Sequence, residues 1–237
     1  MKAVCSISQI AGLMAEPKRS AMLWALIDGS ARHADELASM TGVTPSSACA
    51  HLSLLSSAGL LRLEARGRKR YFRLATPEVV AAVEALASVE LGRRGESRTS
   101  VKPLQVPLSL RRARRCGDHL GGEIAADLYR RMVCAGWLEG NQLHPSVSAE
   151  GCAQLGQLGV YIEALAPRQR GRCEICHCSE WSDTSAHLGG AVGHALLRLF
   201  LQSGWIREQE GTRTLKISTL GVQEINRIAN VPALQVG

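Results

Sequence analysis

Residues Arg32 to Leu74 leave this chain few ways to fold. They read as a helix, a short turn, a second helix and a basic β-hairpin. Ala34, Leu37, Ala38 and Met40 carry the first helix. Thr41-Gly42 breaks it, because glycine most easily takes the left-handed conformation that closes a helix. Thr44 caps the next helix, with Pro45 in the first turn, where a missing N–H costs nothing. Ala48, Leu52 and Leu55 are spaced by four and three, so one stripe of that helix is buried. Thr44, Ser46, Ser47, Ala50 and His51 fall off the stripe, and an outer face of short hydrogen-bonding side chains suits a helix that enters a major groove.

Beyond Gly59, Leu60-Leu61-Arg62-Leu63-Glu64 alternates as an amphipathic strand does. Ala65 to Arg70 forms a basic turn, and Tyr71-Phe72-Arg73-Leu74 returns. Arg66, Arg68, Lys69 and Arg70 at a hairpin tip suit a wing lying along phosphates. Such a charge run is more often a solvated face. Its place directly behind a helix-turn-helix makes double-stranded DNA the expected partner and the whole stretch a winged helix. Residues 6–15 and 17–28 read as two preceding helices, and Pro77 opens a further one through Val79, Val80, Val83, Leu86 and Val89.

The residues now quoted resemble the ArsR-type repressors. The similarity runs through Glu16-Pro17-Lys18-Arg19, Leu23-Trp24-Ala25-Leu26, Glu36-Leu37-Ala38, Thr44 to Leu55 and Ala58-Gly59-Leu60-Leu61, about residues 6 to 90. It implies a dimeric transcriptional regulator, a repressor released by an inducer, with the first helix and the Pro77 helix forming the homodimer interface. Metal-sensing members carry Cys-x-Cys on the helix before the turn; here Ala34-Asp35-Glu36-Leu37-Ala38 has no cysteine. An inducer site is therefore expected farther along the chain.

Charge divides the chain in the same way. Residues 1–75 hold 10 Lys or Arg against 5 acids and residues 76–115 hold 8 against 4, whereas residues 116–237 hold 10 against 12. The polyanion-facing part is thus N-terminal, and the rest is not expected to touch DNA. No signal peptide or membrane-length apolar run is evident, so a cytoplasmic protein away from membranes is expected. There the eight cysteines are thiols or ligands rather than disulfides.

Leu91 to Pro107 is rich in Gly, Arg, Ser and Pro and reads as linker. The expected organisation is a winged helix-turn-helix DNA-binding and dimerisation domain at 1–90, a linker at 91–110 and a sensory domain at 111–237. Arg111-Arg112-Ala113-Arg114-Arg115 reads either as a solvated helix start or as an extra phosphate contact. The rear half then repeats itself. His119-Leu120-Gly121-Gly122 leads to Gly136-Trp137-Leu138, and His187-Leu188-Gly189-Gly190 leads to Gly204-Trp205-Ile206; both His119 to His187 and Trp137 to Trp205 span 68 positions. These are read as two degenerate winged-helix-like repeats, about 116–165 and 184–233, that have lost their basic wings at Glu139-Gly140-Asn141-Gln142 and Glu208-Gln209-Glu210-Gly211. The expected fold class is mainly α with small β-hairpins (α+β).

Two readings of the paired His-Leu-Gly-Gly segments stand side by side. The glycines permit tight helix packing with each histidine capping its own helix, or the repeat junction holds a ligand pocket with His119, His187 and Trp181 on its walls. Between the repeats, Cys173, Cys176 and Cys178 form a Cys-x-x-Cys-x-Cys cluster that could bind zinc or another thiophilic metal, with Cys116, His119 or His187 completing a tetrahedron. The same thiols could answer oxidants, with Arg168, Arg170 and Arg172 favouring thiolates. A small inducer, metal or organic, is the expected signal. Long extensions on a branch of ArsR-type regulators are similar here, at Cys116-Gly117-Asp118-His119, at Cys178 to Asp183 and at His187-Leu188, while Cys173 and Cys176 lie outside that pattern. A thiol enzyme using Cys116, Asp118 and His119, or a protein-interaction adaptor carrying a winged helix, is the alternative of another class; no assembled catalytic motif supports the first.

Overall fold

The structure, a computed structural model, describes residues 2–93, 106–140, 145–165, 175–179, 181 and 186–230. The chain divides into two compact units, residues 1–87 and 88–237.

The front unit contains α1 (Lys2–Met14), α2 (Pro17–Ala25), β1 (Arg32–His33), α3 (Ala34–Thr41), α4 (Pro45–Ser57), β2 (Leu61–Arg66), β3 (Lys69–Leu74) and the start of α5 (Pro77–Arg93). Met22, Leu26, Ile27, Leu37, Leu52 and Leu55 have no exposed surface and make its core. Gly42 closes α3 at φ 64°, and the Thr44 side chain caps α4 by accepting from the Ser47 N–H. Met40 does not help carry α3; it is 51% exposed. The buried stripe is Leu37, Ala38 and Thr41. Thr41 can sit there because its hydroxyl donates to the Leu37 carbonyl at 2.7 Å, satisfying its only polar group within the helix. The strands are longer than the sequence suggested, since pairing continues to Arg66 opposite Lys69 and leaves only Gly67-Arg68 as the turn. β1 adds a third strand against β3, with Arg32 opposite Phe72. Two residues are too few to show a period, so no signal in the sequence marks it.

The expected linker is partly helical. α5 continues to Arg93, and α6 (Leu108–Arg111) opens the rear packing; residues 94–105 lie outside the described set. The rear unit goes on through β4 (Arg114–Cys116), β5 (His119–Gly121), α7 (Glu123–Cys134), β6 (Leu138–Gly140), β7 (Pro145–Val147), α8 (Ala149–Gln157) and α9 (Ile162–Leu165). It ends with β8 (Cys176–Ser179), β9 (Ala186–Gly189), α10 (Gly190–Gln202), β10 (Ile206–Glu208), β11 (Leu215–Ile217) and α11 (Thr219–Arg227). Each half thus runs hairpin, helix, hairpin, helix.

Their details match as well. Ser148 caps α8 by accepting from Gly151 N–H, and Ser218 caps α11 by accepting from Gly221 N–H, both at 3.0 Å. The Ser148 and Ser218 N–H groups donate to the carbonyls of Trp137 and Trp205. α7 packs on β9 and α10 on β5, so each long helix covers the other half's hairpin. One continuous core results, containing Leu128, Met132, Leu155, Val192, Leu196, Phe200 and Ile225.

The arginine run is only partly solvated: Arg111 and Arg112 are exposed, and Arg114 and Arg115 are built into the rear unit. Arg114 is fully buried, its guanidinium 3.8 Å from the Trp181 ring. Arg111 pairs with Glu123 and Arg115 with Glu208, and the Arg115 carbonyl accepts from Arg213 at 2.7 Å. Alternation along β4 turns Arg114 inward and fastens the run to the second half.

Candidate functional sites: a nucleic-acid face and a cysteine–histidine cluster

On α4 the burial of Ala48, Leu52 and Leu55 leaves Ser46, Cys49, Ala50 and Ser53 exposed. Cys49 belongs to this face, one turn from Ser46 and Ser53, a spacing present in the sequence though not used there. The other expected contacts are less free. The Thr44 hydroxyl is engaged with Ser47 N–H and lies 3.1 Å from the Ser46 hydroxyl, and Ser47 is half-buried. His51 is half-buried, with Nδ1 3.8 Å from the Glu16 carboxylate at the cap of α2.

The wing separates into two kinds of cation. Arg66 donates to Glu64 at 2.9 Å and stacks 4.8 Å over Tyr71. That bond and a second from Arg73 at 3.2 Å hold the Glu64 carboxyl below the usual carboxylate range. Arg68, Lys69 and Arg70 are exposed and have no acidic partner among the described residues. The front unit thus offers three uncompensated cations and an exposed helix face of mostly small side chains, Leu54 excepted, groups that a phosphate backbone and base edges can recruit.

The rear unit gathers a different chemistry. Cys116 and His119 are partners across the tight β4–β5 hairpin, and Cys178 and His187 are partners across β8–β9. Directly opposed residues on a hairpin project to the same face. With β5 against β9, the two pairs meet, and one ligand atom from each of Cys116, His119, Cys178 and His187 lies within 4.8 Å of every other. The two sulfurs are 3.6 Å apart. Two thiolates on a tetrahedral zinc, with bonds of about 2.3 Å, sit about 3.8 Å apart, whereas a disulfide closes to about 2.05 Å.

Around the cluster, His119 is 8% exposed and His187 is fully buried. His119 Nδ1 lies 3.2 Å from the Asp118 carboxylate, and its Nε2 is buried with no hydrogen-bond partner of good geometry among the described residues. His194 Nδ1 approaches the Asp118 carbonyl at 3.1 Å. Neither histidine caps a helix: the N-caps of α7 and α10 are Gly122 and Gly189. A hydrogen bond shared with Cys178, together with burial, pushes the Cys116 thiol up to about 11. A side chain at Gly121 would meet Cys116 Cβ at 3.1 Å and Arg114 Cζ and His187 Nε2 at 3.3 Å. One at Gly189 would meet Cys176 Sγ at 2.7 Å and His119 Cε1 at 3.2 Å. The paired glycines therefore serve the approach of the two hairpins.

The expected site residues divide accordingly. Cys116, Cys178, His119 and His187 converge; Cys176 is half-buried on the same strand and outside the four; Cys173, Arg168, Arg170 and Arg172 lie outside the described residues. Trp181 is a buried platform for Arg114, with Arg213 5.7 Å from its ring. The neighbouring cavity, lined by Leu120, Leu128, Leu188, Leu196 and Phe200 among others, holds about 10 Å³, room for a water and no organic ligand. The sequence reading placed Arg114 only in a charge run and Asp118 only in a motif and a thiol-enzyme alternative, and gave neither its place beside the cluster. Their signals were the inward alternation of β4 and the carboxylate immediately before a repeated histidine.

No family model matches the chain. Over 228 residues it is 32% identical to the uncharacterized HTH-type transcriptional regulator YdfF of Bacillus subtilis, covering 95% of this chain and 98% of that protein. Similar solved structures include the homodimeric winged helix-turn-helix domain of Mb0332 from Mycobacterium bovis, a possible ArsR-family regulator, at 24% identity over 43% of this chain and 92% of that one, with a TM-score of 0.36. HlyU from Vibrio cholerae matches at 25% identity over 38% of this chain and 96% of that one, also at 0.36. The structural likenesses are loose, and the full-length relative carries the assignment. With its DNA-binding winged helix in front, as the ArsR-like residues indicated, the chain belongs to the HTH-type transcriptional regulators.

Proposed function

We propose that this regulator is a repressor that holds operator DNA as a homodimer and lets go when a metal ion or thiol-reactive signal reaches its rear unit. The observation that carries the DNA reading is the open α4 face, Ser46, Cys49, Ala50 and Ser53, together with the exposed cations Arg68, Lys69 and Arg70. Two such faces related by a two-fold axis would enter successive major grooves about 34 Å apart. Homodimerisation is supported by apolar side chains left exposed on α1 and α5: Ile7 at 68%, Ile10 at 39%, Leu86 at 56% and Val89 at 62%. Those are the helices that the ArsR resemblance makes the interface. A protein acting on DNA in this way works in the cytoplasm; no helix among the described residues is long and apolar enough to cross a membrane.

The rear unit is read as an internal duplication of winged-helix-like repeats, supported by the matching element order, caps and tryptophans. Its segments Glu139-Gly140-Asn141-Gln142 and Glu208-Gln209-Glu210-Gly211 lack the run of cations found at 66–70, although Arg207 and Lys216 oppose one another on β10–β11, and the rear unit is assigned to signal reception. An inducer acts by preferring the state that cannot hold DNA. The small apolar cavity and the buried histidines favour an inorganic signal over an organic one.

The test is a mobility shift of the full chain on the DNA upstream of its own gene, with competitor DNA present. Specific retention that is lost on adding a thiophilic metal or an oxidant is the expected result. Binding that competitor DNA abolishes would overturn the operator reading, and retention under every such signal would overturn the inducer reading.

A further inference from the structure

The geometry points to Cys116, His119, Cys178 and His187 as a closed four-ligand site for a zinc-class divalent ion, one Cys–His pair from each half of the rear unit. The inference rests on the rear unit being the signal-receiving half and specifies what it receives. Four observations support it. The ligand set of two sulfurs and two ring nitrogens is the one that tetrahedral zinc favours. The four ligand atoms already lie within 4.8 Å of one another, with the sulfurs 3.6 Å apart. His119 Nε2 is buried without a partner of good geometry among the described residues, while Asp118 engages Nδ1, so the ring offers its other nitrogen to the cluster. A carboxylate behind a ligating imidazole is the usual way of fixing its orientation. Gly121 and Gly189 keep clear the space beside the ligands where a Cβ would crowd His187 and His119.

The site has a mechanical meaning. β4–β5 and β8–β9 are two-stranded sheets of three and four residue pairs, and hairpins so short are marginal alone. An ion bound by both joins the two halves where α7 crosses to β9 and α10 to β5, so metal loading is coupled to their packing. Both cysteines bind as thiolates, releasing their protons to solvent, and both histidines bind as neutral imidazoles. With four protein ligands no position remains open for water, so the ion is held rather than used in catalysis. Cys176 is not a ligand in this scheme, although its spacing from Cys173 looks more like a zinc half-site than the residues that converge.

The test uses the reduced full chain, stripped of metal and titrated with Co(II). Saturation at one equivalent is expected, with the intense visible bands of four-coordinate cobalt and thiolate charge-transfer bands in the near ultraviolet, all erased by one equivalent of zinc. Cys116→Ser or Cys178→Ser should lower the charge-transfer intensity by roughly half, one sulfur of two. Cys176→Ser should leave the spectrum unchanged. A pale six-coordinate spectrum in the unaltered protein would overturn the site without depending on any variant. Loss of the spectrum in Cys176→Ser, or its survival in a Cys116→Ser/Cys178→Ser double variant, would do the same. The expected spectrum with operator affinity indifferent to metal would leave the site standing and refute the sensing role. No spectrum, with operator release by an oxidant, would refute the site and leave the repressor reading intact.

Discussion

The rings of His119 and His187, 68 positions apart in the chain, lie with their centroids 5.2 Å apart and their planes tilted by 38°. Each is the cross-strand partner of a cysteine, and each approaches the glycine two residues beyond the other, His187 at Gly121 and His119 at Gly189. Such reciprocal contact is what the proposed duplication of the rear unit would produce.

Asp118 is the carboxylate behind His119, 3.2 Å from Nδ1. Replacing it with Ala should weaken zinc binding by about 10–100-fold while leaving a four-coordinate cobalt spectrum, because orientation is lost and no ligand is. Competition against a chromophoric chelator measures this. Unchanged affinity would remove Asp118 from the account.

Gly151 and Gly221 occupy equivalent places under Trp137 and Trp205; a Cβ on either would stand 2.1 Å from the tryptophan carbonyl oxygen. Backbone cannot retreat as a side-chain end can, so Gly151→Ala and Gly221→Ala should each destabilise the rear unit by about 3 kcal/mol. Denaturant unfolding of the full chain checks it. A loss at one position and none at the other would contradict the matched packing.

On the wing, Arg68→Ala/Lys69→Ala should weaken binding to all DNA sequences alike and flatten the salt dependence by about 2 in log–log slope, roughly 1 for each phosphate no longer neutralised. Arg66→Ala should do less, since Arg66 already faces Glu64 and Tyr71. Equal effects from Arg66 and Arg68 would show that the Glu64 pairing opens on DNA.

Leu86→Glu/Val89→Glu alters side chains that are mostly exposed on α5. The double variant should remain folded by circular dichroism and become monomeric by light scattering, with operator affinity falling alongside. A dimer that persists would place the interface elsewhere.

Local chemistry made the front unit readable. Thr44-Pro45 and Thr41-Gly42 declare helix ends, and Ala48, Leu52 and Leu55 declare a buried stripe, so α3, α4 and the hairpin follow from neighbours a few residues apart. Met40 misled because an apolar side chain near a stripe looks like part of it, while Thr41, whose hydroxyl is satisfied inside the helix, took the buried place. The rear cluster resisted for another reason. Cys173 and Cys176 are close to Cys178 in sequence, but only strand register decides which residues share a face, and register sets Cys178 opposite His187 and Cys116 opposite His119. The repeat spacing hinted at the paired histidines; that Arg114 would be buried beneath Trp181 was hidden in a charge run that looks solvated.

Operator affinity of the full chain, metal-stripped and then loaded with one equivalent of zinc, joins the two units in one reading. Fluorescence anisotropy on the DNA upstream of its own gene should show tight specific binding by the stripped protein. Loading should weaken it by about 5–150-fold, the range of ordinary coupling between sites, and the Cys116→Ser/Cys178→Ser variant should not respond. Identical affinity with and without zinc, in protein shown to bind it, would contradict the proposal that the rear cluster governs the front helix.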